Sequence, residues 1–339
     1  MIARPDDWRE HSEPPGWGRA LAAAGISHVT VVGGSGRLGS VLVRYLVYGK
    51  CSVHVLDTSP PDPMPGVRFT ACDLSSRAAL PAGAFRGCDG IVHLAGLHGA
   101  HLAAGVSRRR FWAVNVGGTE RVLEAAVRAG VPRVVIASST SVYGPGSAAG
   151  HPAKVLDENS PLDPEDIYDL TKVAAERLLE AATDEQAGVA LRFGRFFFPS
   201  YEGYHMRKAS TGLDVRDACQ AVALTLAAAT LRRRAYCVAS DLPLPYQSRQ
   251  RLGLSAPQVL EEALPGFCDL AQRRRVKVPE RVGKSVDTAL ARAELGYRPE
   301  RALDWVVRMW RAEALACPAQ RRLHGLFRGE SLASTPLVS

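Results

Sequence analysis

The sequence predicts an α/β fold, a doubly wound parallel sheet with a smaller C-terminal substrate lobe. Short apolar runs alternate with helical patterns over residues 28–195, which is typical of parallel strands joined by crossover helices. The first run, Val29–Val32, consists of β-branched residues, as expected of a strand buried on both faces. A glycine-rich turn, Gly33–Gly39, follows it directly. We therefore expect a ligand site at the carboxyl edge of the sheet.

The same patterns place each element of this sheet in chain order. A short helical segment, Arg19–Ala24, precedes the first strand. Apolar runs predict the later strands at Cys51–Asp57, Val67–Ala71, Gly90–Leu94, Arg133–Ser138 and Val189–Phe193. Helical spacing predicts helices over Ser40–Val47, Asn115–Arg128 and Ile167–Ala182. Gly130 follows the second of them and supplies the glycine that commonly ends a helix.

Beyond residue 198 the pattern becomes less regular, which predicts a smaller lobe. We expect a strand at Tyr236–Ser240 and helices over Asp214–Leu231, Ala256–Leu264, Val286–Leu295 and Arg301–Leu315. These patterns divide the chain into an N-terminal extension (1–27), the sheet domain (28–195), the substrate lobe (196–317) and a tail (318–339).

Composition and charge exclude several classes of protein. The chain has 46% hydrophobic and 22% charged residues, as ordinary globular proteins do. Its net charge of +8 favours anionic ligands, but its arginine triplets are scattered and lack interleaved aromatic residues. We therefore expect no nucleic-acid partner, and we assign the triplets to solvated faces or to contacts with an acidic substrate.

Cysteine and histidine usage predicts the compartment and the absence of a metal. The seven cysteines are widely spaced and none stands at CxxC or metal-ligand spacing, which predicts a reduced, cytoplasmic location. His93 and His98 flank the end of a predicted strand without a carboxylate or cysteine that would complete a metal site. No apolar run approaches the roughly 18 residues of a membrane span, and residues 1–15 contain no apolar signal-peptide core.

The glycine-rich turn is suited to the pyrophosphate of a dinucleotide. We expect Gly33 to permit the tight turn, Gly36 to let the backbone approach the pyrophosphate, and Gly39 to allow the helix to pack closely on the strand. The helix N-terminus adds N–H donors and the positive end of its dipole. The run fits both GxxGxxG and GxGxxG spacing. The prediction is a dinucleotide-binding site.

Three side chains near the turn bear on which dinucleotide binds. Asp57 ends the second strand, where a carboxylate accepts hydrogen bonds from the adenosine ribose and repels a 2′-phosphate, so we expect NAD rather than NADP. Arg37 either weakens that preference by offering a cation beside the 2′ position or is a solvated residue of the first helical turn. Asp73 either bonds the adenine amino group or caps a helix.

Tyr168 and Lys172 stand four residues apart on one predicted helix and share a face. A phenol has an ordinary pKa of about 10 and is a poor base at neutral pH. A nearby lysine ammonium and a positive nicotinamide ring favour the phenolate, which makes Tyr168 a candidate general base. Lys172 is also placed to hold the nicotinamide ribose. The alternative is an aromatic residue packed on the helix beside a solvated lysine.

Hydroxyl side chains at the end of the fifth predicted strand strengthen the catalytic interpretation. The run Ser138–Gly144 is rich in them, and open parallel sheets bind ligands at this edge. A hydroxyl there can bond the substrate oxygen and stabilise charge as hydride leaves the neighbouring carbon.

With these motifs identified, the chain resembles the extended short-chain dehydrogenase/reductases, in particular their NAD-dependent epimerase/dehydratase branch. The matching segments run in family order over residues 28–315: Gly33–Gly39, Asp57, Cys72–Leu74, Val92–Gly96, Asn115–Thr119, Ser138–Gly144, Tyr168–Lys172, Leu191–Phe193, Asp214–Asp217 and Leu295–Pro299. The resemblance implies a Rossmann fold that binds NAD. It also implies a homodimer formed through the helices Asn115–Arg128 and Ile167–Ala182.

The resemblance assigns roles to single residues. Ser139 is the expected catalytic hydroxyl, Tyr168 the base and Lys172 its partner, while Asn115 has a structural and relay role. The residues expected to bind the cofactor are Gly33, Gly36, Arg37, Leu38, Gly39, Asp57, Asp73, Leu74, Leu94, Ala95, Gly96, Asn115, Tyr168 and Lys172.

Three departures from the family pattern affect the substrate. The acidic pair that 4,6-dehydratases carry after the catalytic hydroxyl is replaced by Thr140–Val142, which disfavours dehydration. Gly194–Pro199 lacks the asparagine that often contacts substrate, and only Ser200–Leu213 separates it from the next matching segment. That short segment raises the possibility of a substrate without a nucleotide. The substrate-binding candidates are Ser139, Thr140, Arg195, Tyr204 and Arg207.

The sequence thus predicts an NAD-dependent enzyme that transfers hydride at a secondary alcohol carbon of a sugar or nucleotide-sugar. Epimerisation through a keto intermediate is the first hypothesis. A net NAD(P)-dependent dehydrogenase or reductase acting on a non-nucleotide substrate is the alternative. A dinucleotide-sensing regulatory protein without turnover is a second alternative, which the Tyr168–Lys172 pair disfavours.

Overall fold

The computed structural model describes residues 16–315 apart from 77, 79, 82, 184–187, 197–200 and 243. The predicted tail (318–339) and most of the predicted extension (1–27) lie outside the described residues. Within the described part of the chain, no helix is both long enough and apolar enough to cross a membrane.

The core of the molecule is a seven-stranded parallel sheet in the order β3-β2-β1-β4-β5-β7-β8, and a separate parallel pair joins β6 to β9. This confirms the doubly wound parallel sheet. The strands are β1 (His28–Val32), β2 (Ser52–Asp57), β3 (Val67–Ala71), β4 (Gly90–His93), β5 (Val134–Ser139), β6 (Lys154–Leu156), β7 (Gly188–Phe193), β8 (Ala235–Val238) and β9 (Lys284–Val286).

Helices cover both faces of the sheet and build the C-terminal part of the chain. In chain order they are α1 (Gly16–Ala23), α2 (Arg37–Tyr48), α3 (Gly99–Ala103), α4 (Arg108–Phe111), α5 (Gly118–Arg128), α6 (Ile167–Ala182), α7 (Tyr201–Arg207), α8 (Val215–Ala227), α9 (Tyr246–Arg251), α10 (Ala256–Ala263), α11 (Phe267–Arg273), α12 (Ala289–Glu294) and α13 (Leu303–Leu315).

The strands bury their alternate residues on opposite faces, because successive side chains of a strand point in opposite directions. Val29 and Val31 pack on one face against α1, α2 and α8. Val32 of the same strand packs on the other face against α5 and α6. Both faces are therefore apolar, which explains why the first strand reads as an unbroken β-branched run.

Most predicted helices differ in their bounds, and for two of them the reason is identifiable. The helix predicted over Asn115–Arg128 begins earlier, with α4, and passes through a π-helical turn, Trp112–Gly117, before α5. In that wide turn the carbonyl of Asn115 accepts a bond from the Thr119 hydroxyl at 2.6 Å. The helix predicted over Val286–Leu295 is wrong at its start, because Val286 belongs to β9 and pairs with β6.

Residues of the predicted lobe contribute to two cores. Strand β8 pairs with β7 at the sheet edge, and α8 packs on the sheet. The later helices surround a second apolar cluster, in which Phe267 stacks on Trp310 with ring centroids 6.1 Å apart. The chain thus returns to the main sheet before it builds the C-terminal helices.

Candidate functional site

The glycine turn between β1 and α2 is held by close backbone contacts. Gly33 has φ +87°, and a Cβ there would lie 2.4 Å from the backbone nitrogen of Ala95. A Cβ at Gly39 would lie 2.2 Å from the carbonyl oxygen of Gly33. Neither position accepts a side chain, as the sequence predicts for the tight turn and the close helix packing. A Cβ at Gly36 would meet only the carbonyl oxygen of Gly33, at 3.3 Å, so its other side is open.

Asp57 joins the end of β2 to this turn. Its carboxylate accepts hydrogen bonds from the backbone nitrogens of Ser35 at 2.9 Å and Thr58 at 2.7 Å. The Ser35 hydroxyl donates in turn to the Ser59 carbonyl at 2.6 Å. The carboxylate therefore fixes the turn and remains partly exposed. Arg37 lies exposed at the first position of α2, and Leu38 beside it is buried.

Asp73 and Leu74 follow β3 in a turn. The Asp73 carboxylate accepts bonds from the Ser75 backbone nitrogen at 2.7 Å and from the Ser75 hydroxyl at 2.9 Å, and these bonds lower its pKa. The segment is a turn in the described residues rather than a helix, so the predicted helix cap is wrong and Asp73 caps a turn instead. Leu74 is buried against Gly118, where a Cβ would lie 3.0 Å from its own.

Asn115 links the loop after β4 to the helix that carries Tyr168. Its amide oxygen accepts from the Leu97 backbone nitrogen at 2.7 Å, and its amide nitrogen donates to the Leu97 carbonyl at 3.0 Å and to the Thr171 hydroxyl at 2.9 Å. Thr171 donates onward to the carbonyl of Tyr168 at 2.8 Å. Leu94 and Ala95 begin this loop, and their backbone nitrogens bond the Val32 carbonyl at 2.8 and 3.0 Å.

Ser139, Tyr168 and Lys172 meet at the carboxyl edge of the sheet. Ser139 is the last residue of β5, and its hydroxyl interacts with that of Ser141 at 2.8 Å. Tyr168 stands in the first turn of α6, with its phenol near enough to the Ser139 hydroxyl for that group to lower its pKa. The Lys172 ammonium lies 5.8 Å from the centroid of the Tyr168 ring and donates to the Ala137 carbonyl at 2.7 Å.

Burial dominates the acid–base properties of these groups. Desolvation raises the pKa of Tyr168 to about 12, against the lowering effect of the neighbouring Ser139 hydroxyl. Desolvation lowers the pKa of Lys172 to about 8, against the favourable charge of Glu176. The phenol therefore needs an added positive charge beside it before it can serve as a base near neutral pH.

A buried polar network behind Lys172 was not predicted. The carboxylate of Glu176 accepts bonds from the Ser138 hydroxyl and from Arg192, whose Nη2 lies 2.7 Å away. Arg192 also donates to the Tyr143 hydroxyl at 2.8 Å. The network ties β5, β7 and α6 together beneath the catalytic candidates. Its one signal in the sequence is the spacing of Lys172 and Glu176, which places them on one helix face.

Several cationic side chains follow the strands β4 and β7 and influence one another. Arg195 pairs with Gly212 in an isolated bridge, and Gly212 packs on the backbone of Arg207, where a Cβ would lie 2.5 Å from its carbonyl carbon. Burial and then the charge of Arg195 lower the pKa of Arg207. Burial and the charges of His101, Arg37, Lys172 and Arg195 lower the pKa of His98.

In the sequence, His98 stands out only in connection with a metal site. It contacts His101 with ring centroids 4.3 Å apart and accepts a bond from the Ala100 backbone nitrogen at 3.3 Å. The described residues contain no group of His, Cys, Asp and Glu side chains suited to a metal ion. Thr140 is buried beside Ser139. Tyr204 lies in α7, but its side chain is outside the described residues.

Comparison with known proteins identifies relatives of the first part of the chain. Residues 29–242 match the profile of the NAD dependent epimerase/dehydratase family. The chain is 37% identical over 175 residues to the 3 beta-hydroxysteroid dehydrogenase/Delta 5→4-isomerase of Mycobacterium tuberculosis, covering 48% of this chain and 45% of that protein. It is 31% identical over 173 residues to the UDP-glucose 4-epimerase of Streptomyces lividans, covering 48% of this chain and 50% of the epimerase.

The alignments thus span about half the length of these curated relatives. Among solved structures, MoeE5 in complex with UDP-glucuronic acid and NAD is similar with a TM-score of 0.60 and 25% sequence identity. That likeness covers 85% of this chain and 100% of the solved chain. It therefore extends over more of this chain than the curated alignments do.

Proposed function

The chain belongs to the NAD dependent epimerase/dehydratase family, and on that premise we propose that it is an NAD-dependent enzyme that transfers hydride at a secondary alcohol carbon. The single observation that carries the proposal is the juxtaposition of Ser139, Tyr168 and Lys172 at the carboxyl edge of the sheet. Open parallel sheets bind ligands at this edge. The NAD-bound structure of MoeE5 supports the choice of cofactor.

The residues around the glycine turn fit NAD. The open side of Gly36 at the start of α2 leaves room that a Cβ would fill, and the helix N-terminus favours a pyrophosphate. The partly exposed carboxylate of Asp57 suits ribose hydroxyls. We assign the remaining cofactor contacts to Leu74, Leu94–Gly96, Asn115, Tyr168 and Lys172. When bound, NAD supplies the hydride acceptor and a positive ring beside the phenol.

Each catalytic candidate has one proposed task. Tyr168, as the phenolate, takes the proton of the substrate hydroxyl. The Ser139 hydroxyl donates a hydrogen bond to the same oxygen, which becomes the carbonyl oxygen of the oxidised product. Lys172 holds the nicotinamide ribose and favours the phenolate by its charge. The substrate carbon then loses its hydride while Tyr168 ends protonated.

The fate of the ketone decides between the two reactions. We propose epimerisation of a sugar or nucleotide-sugar, in which the ketone turns over in the site and regains hydride on its other face. The similarity to the UDP-glucose 4-epimerase of Streptomyces lividans supports this choice. We assign Arg195, Arg207 and Thr140 to the substrate side, and the charges of the two arginines suit an anionic substrate.

Net dehydrogenation is the second candidate, and one observation favours it. Only residues 195–213, with one flanking residue on each side, lie between the end of β7 and the start of α8. This segment is short for one that must bind a nucleotide. The similarity to the 3 beta-hydroxysteroid dehydrogenase/Delta 5→4-isomerase of Mycobacterium tuberculosis, named for a steroid, also supports a substrate without a nucleotide. In this reaction the ketone leaves and the reduced cofactor is released.

The test begins with the purified protein. Released dinucleotide is identified by mass spectrometry, and sugars, nucleotide-sugars and hydroxysteroids are then assayed for turnover and for reduced nicotinamide. Retained NAD with an epimerised product and no net reduction supports the epimerase. Stoichiometric reduction of added NAD supports the dehydrogenase. A third outcome is that wild type and Tyr168→Phe both bind NAD, neither turns over any substrate, and the substitution does not change the cellular phenotype. This outcome supports a dinucleotide sensor and contradicts both enzymatic reactions.

We further propose that the protein acts in the cytoplasm as a homodimer. The dimer face combines α5 and α6 with the π-helical turn before α5. Trp112 is 44% exposed and Leu170 is 38% exposed, and large apolar residues at these positions suit a covered surface. Sedimentation equilibrium of wild-type protein and of Leu170→Glu tests this directly. A wild-type monomer at micromolar concentration contradicts it.

A further inference from the structure

A cavity opens at the amino ends of β1, β2 and β3, on the edge of the sheet opposite the catalytic candidates. Its volume is about 400 Å³, within the range of small-molecule sites. The connection between β3 and β4 contains no helix over its described residues, so this corner of the sheet is covered only by the loop around Ala84–Cys88. The cavity lies where a helix connecting β3 to β4 would otherwise pack on the sheet.

The lining of this cavity is basic. Its ionisable residues are His28, His54, Arg68, Arg86 and Cys88, and none of the described lining residues is acidic. Thr30, His54 and Arg68 are direct register partners on the three neighbouring strands, so their side chains rise in a row on one face. The chain therefore concentrates cations at a place that the proposed reaction does not use.

One of these cations, Arg68, shares its histidine partner with a backbone carbonyl. The Nδ1 atom of His54 lies 2.9 Å from Nη2 of Arg68 and 3.1 Å from the carbonyl oxygen of Ala84. Nδ1 can serve only one of them, because the guanidinium is a donor and the carbonyl is an acceptor. The opposite ring nitrogen already has the Thr70 hydroxyl at 2.9 Å. When Nδ1 donates to the Ala84 carbonyl, the Arg68 guanidinium can donate to another acceptor.

We propose that this cavity binds a small molecule with a phosphate or sulfate group, clamped by Arg68 and Arg86. Guanidinium groups match tetrahedral oxyanions with paired hydrogen bonds. The anion takes the Arg68 donors, and His54 then donates to Ala84. Thr30 and His54, both buried, form the polar floor of the site. The cavity volume leaves room for an organic group beyond the anion itself.

The test measures sulfate binding by titration calorimetry on protein saturated with NAD, so that the turn before α2 is occupied. Sodium chloride at matched ionic strength is the reference. We expect one weak site in wild type, at least tenfold weaker binding in Arg68→Gln and weaker binding in Arg86→Gln. Arg195→Gln, at the other sheet edge, should leave this site unchanged. Acetate in place of sulfate should bind more weakly if the site selects a tetrahedral anion.

Several outcomes overturn the proposal. Equal sulfate binding by wild type and both cavity variants places the anion elsewhere, and loss of binding in Arg195→Gln assigns it to the substrate side. No sulfate heat in wild type contradicts the site outright. Circular dichroism and the melting temperature show whether each variant is folded. If Arg68→Gln unfolds, Arg86→Gln still tests the site, because it changes only the loop. The proposed enzymatic function survives any of these results.

Discussion

The cofactor turn and the substrate side of the same sheet edge are held in different ways. The turn is held by close approaches to backbone atoms, such as Gly39 to the Gly33 carbonyl oxygen and the Asp57 carboxylate to the Ser35 nitrogen. The residues that follow β7, which include the proposed substrate side, are joined by contacts between positions far apart in the chain: the Tyr297 hydroxyl donates to the Ala239 carbonyl at 2.9 Å, and Arg249 Nη1 donates to the Val286 carbonyl at 2.9 Å. The geometry of the first region depends on the absence of a Cβ at glycine. The geometry of the second region depends on long polar side chains.

This difference predicts where substitutions remove chemistry, binding or structure. Variants in the turn and at Tyr168 should act on the cofactor and the reaction, whereas variants around Arg195 should act on the substrate alone.

Tyr168→Phe should lower kcat by about a thousandfold, the scale of a lost general base, while NAD affinity changes less than threefold. The phenol oxygen is removed, but the ring and the Lys172 contact remain. Steady-state kinetics and NAD titration measure the two effects. Tyr48→Phe, at a tyrosine that is 39% exposed, is the matched control and should keep full activity. A Tyr168→Phe variant that retains kcat contradicts the assignment of the base.

Gly39→Ala should weaken NAD binding by at least a hundredfold or prevent folding. The new Cβ would lie 2.2 Å from the Gly33 carbonyl oxygen and 2.7 Å from the Gly34 Cα, so the turn must move, and overpacking of this kind costs about 1–3 kcal/mol or more. NAD titration and thermal unfolding measure the change. Gly16→Ala, where a Cβ meets only the end of Arg19 at 3.9 Å, should behave as wild type. Normal NAD affinity in Gly39→Ala would show that the turn is not the binding site.

Lys172 should make the stability of the protein without cofactor depend on pH. Burial lowers its pKa from 10.5 to about 8, so below pH 8 both folded and unfolded chains carry the proton and the cost of burying the charge is fully present. Between pH 8 and 10.5 the unfolded chain binds more protons than the folded chain, and stability rises with pH.

The expected gain between pH 8 and 10 is about 2 kcal/mol relative to Lys172→Met. Chemical denaturation of both proteins at each pH gives the difference. The comparison with the variant cancels the opposite effect of Tyr168, whose raised pKa destabilises the fold only once tyrosine ionises in the unfolded chain. Parallel stability curves for the two proteins would show that the ammonium is solvated in solution.

The sequence was sufficient to predict the turn and the catalytic candidates because their determinants are local. Glycine spacing, a strand-ending Asp57 and the four-residue spacing of Tyr168 and Lys172 are all visible in short stretches. Strand β9 was mistaken for the start of a helix because its partner β6 lies far away in the chain. The Glu176–Arg192 pair and the place of His98 depend on three-dimensional packing, which single-sequence patterns do not contain.

Arg195→Gln should raise KM about tenfold and leave kcat within twofold, because a charge-assisted hydrogen bond is worth about 1.5–3 kcal/mol and the arginine lies away from the reacting atoms. The charges of Arg195, Arg207 and His98 influence one another, and an anionic group on the substrate offsets their repulsion. Arg128→Gln, at a side chain that is 70% exposed on α5, is the control and should change neither constant.

The same variant decides whether the two regions are independent. Removing the Arg195 charge should raise the pKa of His98 modestly, since that charge is one of those that lower it, and NAD affinity should stay as in wild type. A loss of NAD affinity or of thermal stability in Arg195→Gln would show that the cofactor turn depends on the substrate side. Local glycine contacts would then not suffice to specify the cofactor site, because its geometry would depend on long-range polar contacts as well.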